Sequence, residues 1–163
     1  MMFKFCPECG AGLVPKEIGD EGVIPYCSSC KKPWFALSTP CVICLVVNEY
    51  GEIALIKQTY ATDNNVCVAG FIAQGETAEA AAAREVEEEI GLKAEQIQYI
   101  SSYYYPKNDN LMLGFVVTVK KESFTLSGNE VEQAGWYTVA QTEYELGKGV
   151  TGKDLLRDWL AQK

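Results

Sequence analysis

No histidine occurs among the 163 residues. That absence removes the most frequent general base and the most frequent metal ligand. Acid–base chemistry must therefore come from carboxylate, lysine, tyrosine or cysteine, and a zinc site must be built from cysteine alone. Long apolar runs are missing too: no stretch approaches the roughly 20 residues that cross a bilayer. The opening residues MMFKFCPECG show no signal-peptide pattern. The expectation is a cytoplasmic protein with no membrane partner. Positive charge is scarce, with 14 Lys and Arg against 22 Asp and Glu and a net charge of −8. A chain this acidic repels phosphate backbones at long range, which disfavours nucleic acid as a partner. A site that handles phosphate here needs a bound cation. What is present is 48% hydrophobic and 22% charged, the profile of a folded globular protein. The length suits one domain with a small module attached.

Seven cysteines are the most informative residues of the first half. Cys6, Cys9, Cys27 and Cys30 form C-x2-C-x17-C-x2-C. Each pair can wrap a tight turn that aims two thiolates at one tetrahedral ion, and four thiolates close the site. Pro7 and Gly10 suit such a knuckle. The intervening AGLVPKEIGDEGVIPY reads as a small β ribbon with too little apolar content to fold alone, so metal would supply its stability. The expected occupant is a structural Zn2+, with residues 1–36 as a zinc ribbon and 37–163 as a second domain. Cys41 and Cys44 share the C-x-x-C spacing but lie in the apolar run PCVICLVV. On a strand they project to opposite faces, so they and Cys67 are read as core residues.

Beyond Pro40 strands alternate with helices. CVICLVVN (41–48) and EIALIKQ (52–58) flank a turn, and a polar loop TDNN (62–65) precedes the short run VCVAGF. A helix is expected from the N-cap Thr77 to the stop at Gly91. QIQYISSYYY, LMLGFVVTVKK and AGWYTV read as three further strands, and TGKDLLRDWLAQK as a closing amphipathic helix. The expectation is a mixed sheet with helices packed on it, an α/β (α+β mixed sheet) class.

The helix carries the puzzle of the chain, the acidic run in AREVEEEIGL. At 100° per residue Glu85, Glu88 and Glu89 fall within about a 100° sector. Ala82, Ala83, Val86 and Ile90 fill the neighbouring sector and suit the core, while Glu87 points to solvent. Arg84 can neutralise and orient Glu88 at i+4. Several carboxylate oxygens with open water positions are what hard divalent cations take. The whole spacing is Gly70-x5-Glu76-x7-Arg84-Glu85-Val86-x-Glu88-Glu89-x-Gly91-Leu92, nine fixed positions over 23 residues. It resembles the Nudix box without a departure.

The resemblance implies an α/β/α sandwich and hydrolysis of a nucleoside diphosphate linked to another moiety, with Mg2+ or Mn2+. It implies Glu85 and Glu89 as principal ligands, Glu88 as a further ligand or base contributor, and a carbonyl ligand from the Ala69–Gly70 backbone. Arg84 would orient the glutamates, and Glu76 would support the loop–helix junction. GNEVEQAGWY resembles the region before the family's Trp-Tyr/Phe strand and points to Glu130 as ligand or base. The four-cysteine ribbon followed by the P-C strand start and VAGF resembles the NADH pyrophosphatase branch, whose members imply a homodimer. Phe71 is then expected to stack on a base, and Tyr103 and Tyr105 to contact substrate. The branch signature survives between Ser102 and Met112 only as a serine, a proline and Leu-Met, so NAD(H), ADP-ribose and related compounds all stay open as substrates. Two other readings remain: hydrolysis of a nucleoside triphosphate, and a ligand sensor without catalysis.

Overall fold

The computed structural model describes residues 3–60, 64–146 and 150–163, and the chain divides into two compact units, Met1–Thr39 and Pro40–Lys163. Thr62 and Asp63 of the expected polar loop lie outside the described residues.

The first unit is a three-stranded antiparallel ribbon of β1 (Val14–Glu17), β2 (Val23–Cys27) and β3 (Lys32–Pro33), in that order. A single 3-10 turn, Gly19–Glu21, joins the first two strands. Prolines at 15, 25 and 33 keep the strands short, since each removes a ladder donor. Among its described residues only Cys6 and Cys27 are buried. Among those residues the ribbon has no hydrophobic core of its own.

The second unit is built on a six-stranded sheet: β4 (Thr39–Val47), β5 (Ile53–Gln58), β6 (Val68–Phe71), β7 (Gln96–Tyr105), β8 (Asn110–Thr118) and β9 (Val131–Tyr137). The order is β7-β8-β4-β5-β9, with β6 paired to β4 off that path. Strand alternation sorts the core into two layers. Val42, Cys44 and Val46 of β4 pack beneath helix α1 (Ala78–Ile90) with Phe115 and Val117. Ile43, Leu45 and Val47 face Leu155, Leu156 and Trp159 of helix α3 (Val150–Leu160). The short helix α2 (Val139–Glu145) packs on that second side and contributes its C-cap residue Leu146 to the same layer. This is the α/β/α sandwich.

One strand end departs from the sequence reading, and the three remaining cysteines agree with it. β9 ends at Tyr137 rather than running on to Val139, because Thr138 begins α2 with a full capping box: its side chain accepts from the Gln141 amide while Gln141 reaches back to the Thr138 N–H. Cys41, Cys44 and Cys67 are all buried, with Cys44 on the α1 side of the sheet and Cys67 on the other.

Candidate active site

Helix α1 forms where its ends are fixed. The Thr77 hydroxyl accepts from the Ala80 N–H at 3.2 Å, and Gly91 closes the helix at φ 74°, donating to the Glu87 carbonyl at 2.9 Å. Its inward face keeps Ala82, Val86 and Ile90, as the periodicity suggested, but is turned to one side of that sector. Ala81, Ala82, Val86 and Ile90 are buried, while Ala83 is only partly so. Glu85 and Glu89 turn inward with them, at 9% and 3% exposure, whereas the Glu88 side chain stays 60% exposed. The three glutamates therefore do not share one open edge.

The cause lies across from the helix. In β6, Val68 packs in the α1 layer and Ala69 in the opposite one, so Gly70 follows Val68 towards α1. A Cβ on Gly70 would overlap the Glu85 carboxylate. The bare backbone lets the helix approach and gives the carboxylate its room.

Arg84 commits its guanidinium to this cluster. Nε and Nη2 grip Glu76 at 2.8 and 2.9 Å, Nη1 reaches Glu85 at 2.7 Å and Glu88 at 2.8 Å, and Nη2 also donates to the Phe71 carbonyl at 3.0 Å. Glu76 is fixed in turn by the Ala73 N–H at 2.9 Å. Arg84 holds the Glu76 carboxyl down to about 2, assisted by that amide. The opposite happens deeper in. Burial, then the charges of Glu85 and Glu130, push Glu89 up to about 8, and burial raises Glu85 although Arg84 opposes it.

Glu130 reaches this place on a pinned loop. Its N–H donates to the Ser127 carbonyl, its carbonyl accepts from Thr59 N–H at the end of β5, and Ser127 N–H donates to the Glu89 carbonyl at 3.2 Å. Glu130 is exposed, and its charge acts on both buried glutamates.

One atom tests whether the cluster fits a cation. Glu89 Oε2 is buried and has no hydrogen-bond partner. A buried carboxylate oxygen left bare is costly, and a hard divalent ion is the partner such an oxygen takes. Glu85, Glu89 and the nearby Gly70 backbone offer oxygens only, so the donor set fits.

On the other side of β6 lies a cavity of about 400 Å³. Phe71, at 62% exposure, and Tyr105 line it, together with Tyr60 and Asn65. Tyr103 does not line it: its hydroxyl donates to Asp158 at 2.8 Å and its ring packs in the second core layer. Tyr103 and Tyr105 share one face of β7; what separates them is position along the strand, which sets the Tyr103 ring against α3 and Tyr105 at the cavity rim. Tyr60 and Asn65 were not singled out from the sequence. Only their polarity beside the box hinted at a role, since the partner of Asn65, Glu145, stands 80 positions away.

In the ribbon, the Sγ atoms of Cys6, Cys9, Cys27 and Cys30 all lie within 4.8 Å of one another. The Cys6–Cys30 and Cys9–Cys27 pairs stand 3.9 and 3.6 Å apart. Thiolates about 2.3 Å from a tetrahedral zinc would be roughly 3.8 Å apart, so the set is compatible with a structural zinc. Both knuckles turn the same way: Gly10 after Cys9 has φ 74°, and Lys31 after Cys30 has φ 58°.

The NUDIX domain model matches residues 37–160. The chain is 34% identical over 154 residues to NAD-capped RNA hydrolase NUDT12 of Macaca fascicularis, covering 90% of this chain and 33% of that protein. It is 30% identical over 159 residues to NAD-capped RNA hydrolase NudC of Citrobacter koseri, covering 97% of this chain and 60% of that one. The chain thus spans a third to three fifths of the curated relatives it matches. Among solved structures, a NUDIX hydrolase from Nitrosomonas europaea superposes with a TM-score of 0.75 at 22% identity, covering 99% of this chain and 92% of that one. The NUDIX domain of Shewanella oneidensis NrtR complexed with ADP ribose superposes at 0.65 and 11%, covering 83% and 94%. With a domain model covering most of its length and an unbroken box at the centre of the fold, this chain belongs to the Nudix family.

Proposed function

We propose that the chain is a Mg2+- or Mn2+-dependent pyrophosphohydrolase. It cleaves a nucleoside diphosphate linked to another moiety, such as NAD(H) or ADP-ribose, and releases a nucleoside monophosphate. The observation that carries this reading is the buried, unpartnered Glu89 oxygen beside Glu85, opposite a strand glycine and within reach of the Glu130 charge. The relatives named for NAD-capped RNA support the substrate class.

A divalent ion held there would supply neutralising charge for the pyrophosphate and an acidified water. Glu85, Glu89 and the Gly70 carbonyl would hold it, and Glu88, drawn outwards by Arg84, would be a further ligand or base contributor. Arg84 opposes the burial that raises Glu85 and aims its carboxylate, and Glu76 keeps Arg84 in place. Glu130, exposed at the loop tip, accepts the proton of the water. Phe71 and Tyr105 present flat faces to a base. Hydrolysis of NADH, ADP-ribose, NAD-capped RNA and nucleoside triphosphates with each metal, against Glu89→Gln as control, tests the proposal. AMP from the dinucleotides supports it. Pyrophosphate released from triphosphates alone replaces it with a triphosphatase, and no turnover above the control ends it.

The same reading makes residues 1–36 a structural zinc ribbon and 37–163 the hydrolase domain, in a cytoplasmic homodimer. Zinc analysis of the purified protein and light scattering check the ion and the oligomer.

A further inference from the structure

Asn65 stands in the wall of the cavity with its amide nitrogen turned away from it. Nδ2 donates to Glu145 Oε2 at 2.8 Å and to the Tyr137 hydroxyl at 3.3 Å. Neither of those residues lines the cavity. An ionised carboxylate only accepts, so the bond to Glu145 decides which end of the carboxamide is nitrogen. With both N–H groups engaged, Oδ1 is the one polar atom of the side chain left uncommitted. It is not among the buried unpartnered atoms of the described residues, and Asn65 itself is a lining residue of the cavity. Around it the described lining residues carry no formal charge: amides at Asn108 and Asn110 and phenols at Tyr60 and Tyr105 stand over an apolar floor.

We propose that Asn65 Oδ1 is the specificity-determining acceptor of this cavity. The cavity takes an aromatic ring that carries an exocyclic N–H donor, and Glu145 is the positioning residue that fixes the acceptor outwards. An adenine amino group and a nicotinamide carboxamide both present that chemistry, whereas hypoxanthine presents an oxygen in its place and nicotinic acid a charge. A site with an oriented acceptor rejects such analogues because two acceptors face each other unpaired. The inference rests on the reading of the chain as a hydrolase of linked nucleotides.

The test is calorimetric binding of AMP against IMP, and of nicotinamide mononucleotide against nicotinic acid mononucleotide, with Ca2+ present. Wild-type protein should favour the donor-bearing member of one pair by about tenfold, and which pair responds tells adenine from nicotinamide. Asn65→Leu should abolish the preference. Glu145→Gln should also level it, since a neutral partner that both donates and accepts lets the Asn65 amide turn over, while a circular dichroism melt shows that the variant is folded. Equal binding within both pairs, or a preference that survives in either variant, overturns the proposal. If dinucleotides are hydrolysed and the preference is absent, this inference fails alone; if none of the four probes binds, it fails together with the hydrolase reading.

Discussion

At the scale of the residue, the glutamates of AREVEEEIGL separate into four different environments. Glu89 is buried with a bare oxygen, Glu85 is buried under the Arg84 guanidinium, Glu88 is exposed but held by Arg84, and Glu87 is solvated. Glu89→Gln is expected to lower turnover by about 100-fold or more, the scale of losing a proton-handling or ion-holding group. Glu87→Ala should leave turnover unchanged and stability within about 0.5 kcal/mol. Steady-state kinetics and a denaturant titration separate the two. Glu89 also sets a pH dependence. Its carboxyl is raised from 4.5 to about 8 in the folded, metal-free protein, by burial and then by Glu85 and Glu130. Between those values the folded state keeps a proton that the unfolded chain has released, so stability falls as pH rises through that window and levels off above it. The loss is on the order of a few kcal/mol. Urea titrations in EDTA from pH 4.5 to 9 should show the decline, and Glu89→Gln should flatten it.

At the scale of the element, the sequence was readable wherever the signal was local. Thr77 and Gly91 marked the ends of α1, and QIQYISSYYY, read as a strand, is β7 across its full length. The Thr138-x-x-Gln141 box that starts α2 was there to be found but sits next to strand-like AGWYTV, which masked it. The inward turn of Glu85 and Glu89 was not readable, because it depends on what faces the helix: the missing side chain at Gly70, in a strand that precedes it. The packing of Tyr103 on Asp158 and the bond from Asn65 to Glu145 join positions 55 and 80 residues apart, and no local pattern encodes them. Gly70→Ala tests the helix–strand fit. The added methyl must displace the Glu85 carboxylate, so it should cost about 1–3 kcal/mol and most of the activity, both measurable on the same preparation. In the ribbon, Lys31 holds a left-handed backbone that Gly10 adopts freely in the sister knuckle. Lys31→Gly should therefore be neutral or raise resistance to zinc chelation rather than lower it.

At the scale of the whole molecule, the two units draw stability from different sources. The sheet unit has two apolar layers, whereas the ribbon buries only Cys6 and Cys27 among its described residues. Removing zinc, or the Cys6→Ser change, should melt the ribbon while α1 keeps its protection against hydrogen exchange; exchange measured at both places decides the matter. The sheet unit in turn is divided by β6, four residues long and paired to β4 alone among the sheet strands of the described residues. With carboxylates on one side of it and the cavity on the other, the proposed function makes the strand a gauge. A compound seated in the cavity must lay its phosphates across the width of one strand to meet Glu85 and Glu89. The length between ring and scissile bond is measured, and whatever extends beyond that bond is not. Compounds sharing the ring and its diphosphate should then be cut at one position, however bulky the group on the far phosphate.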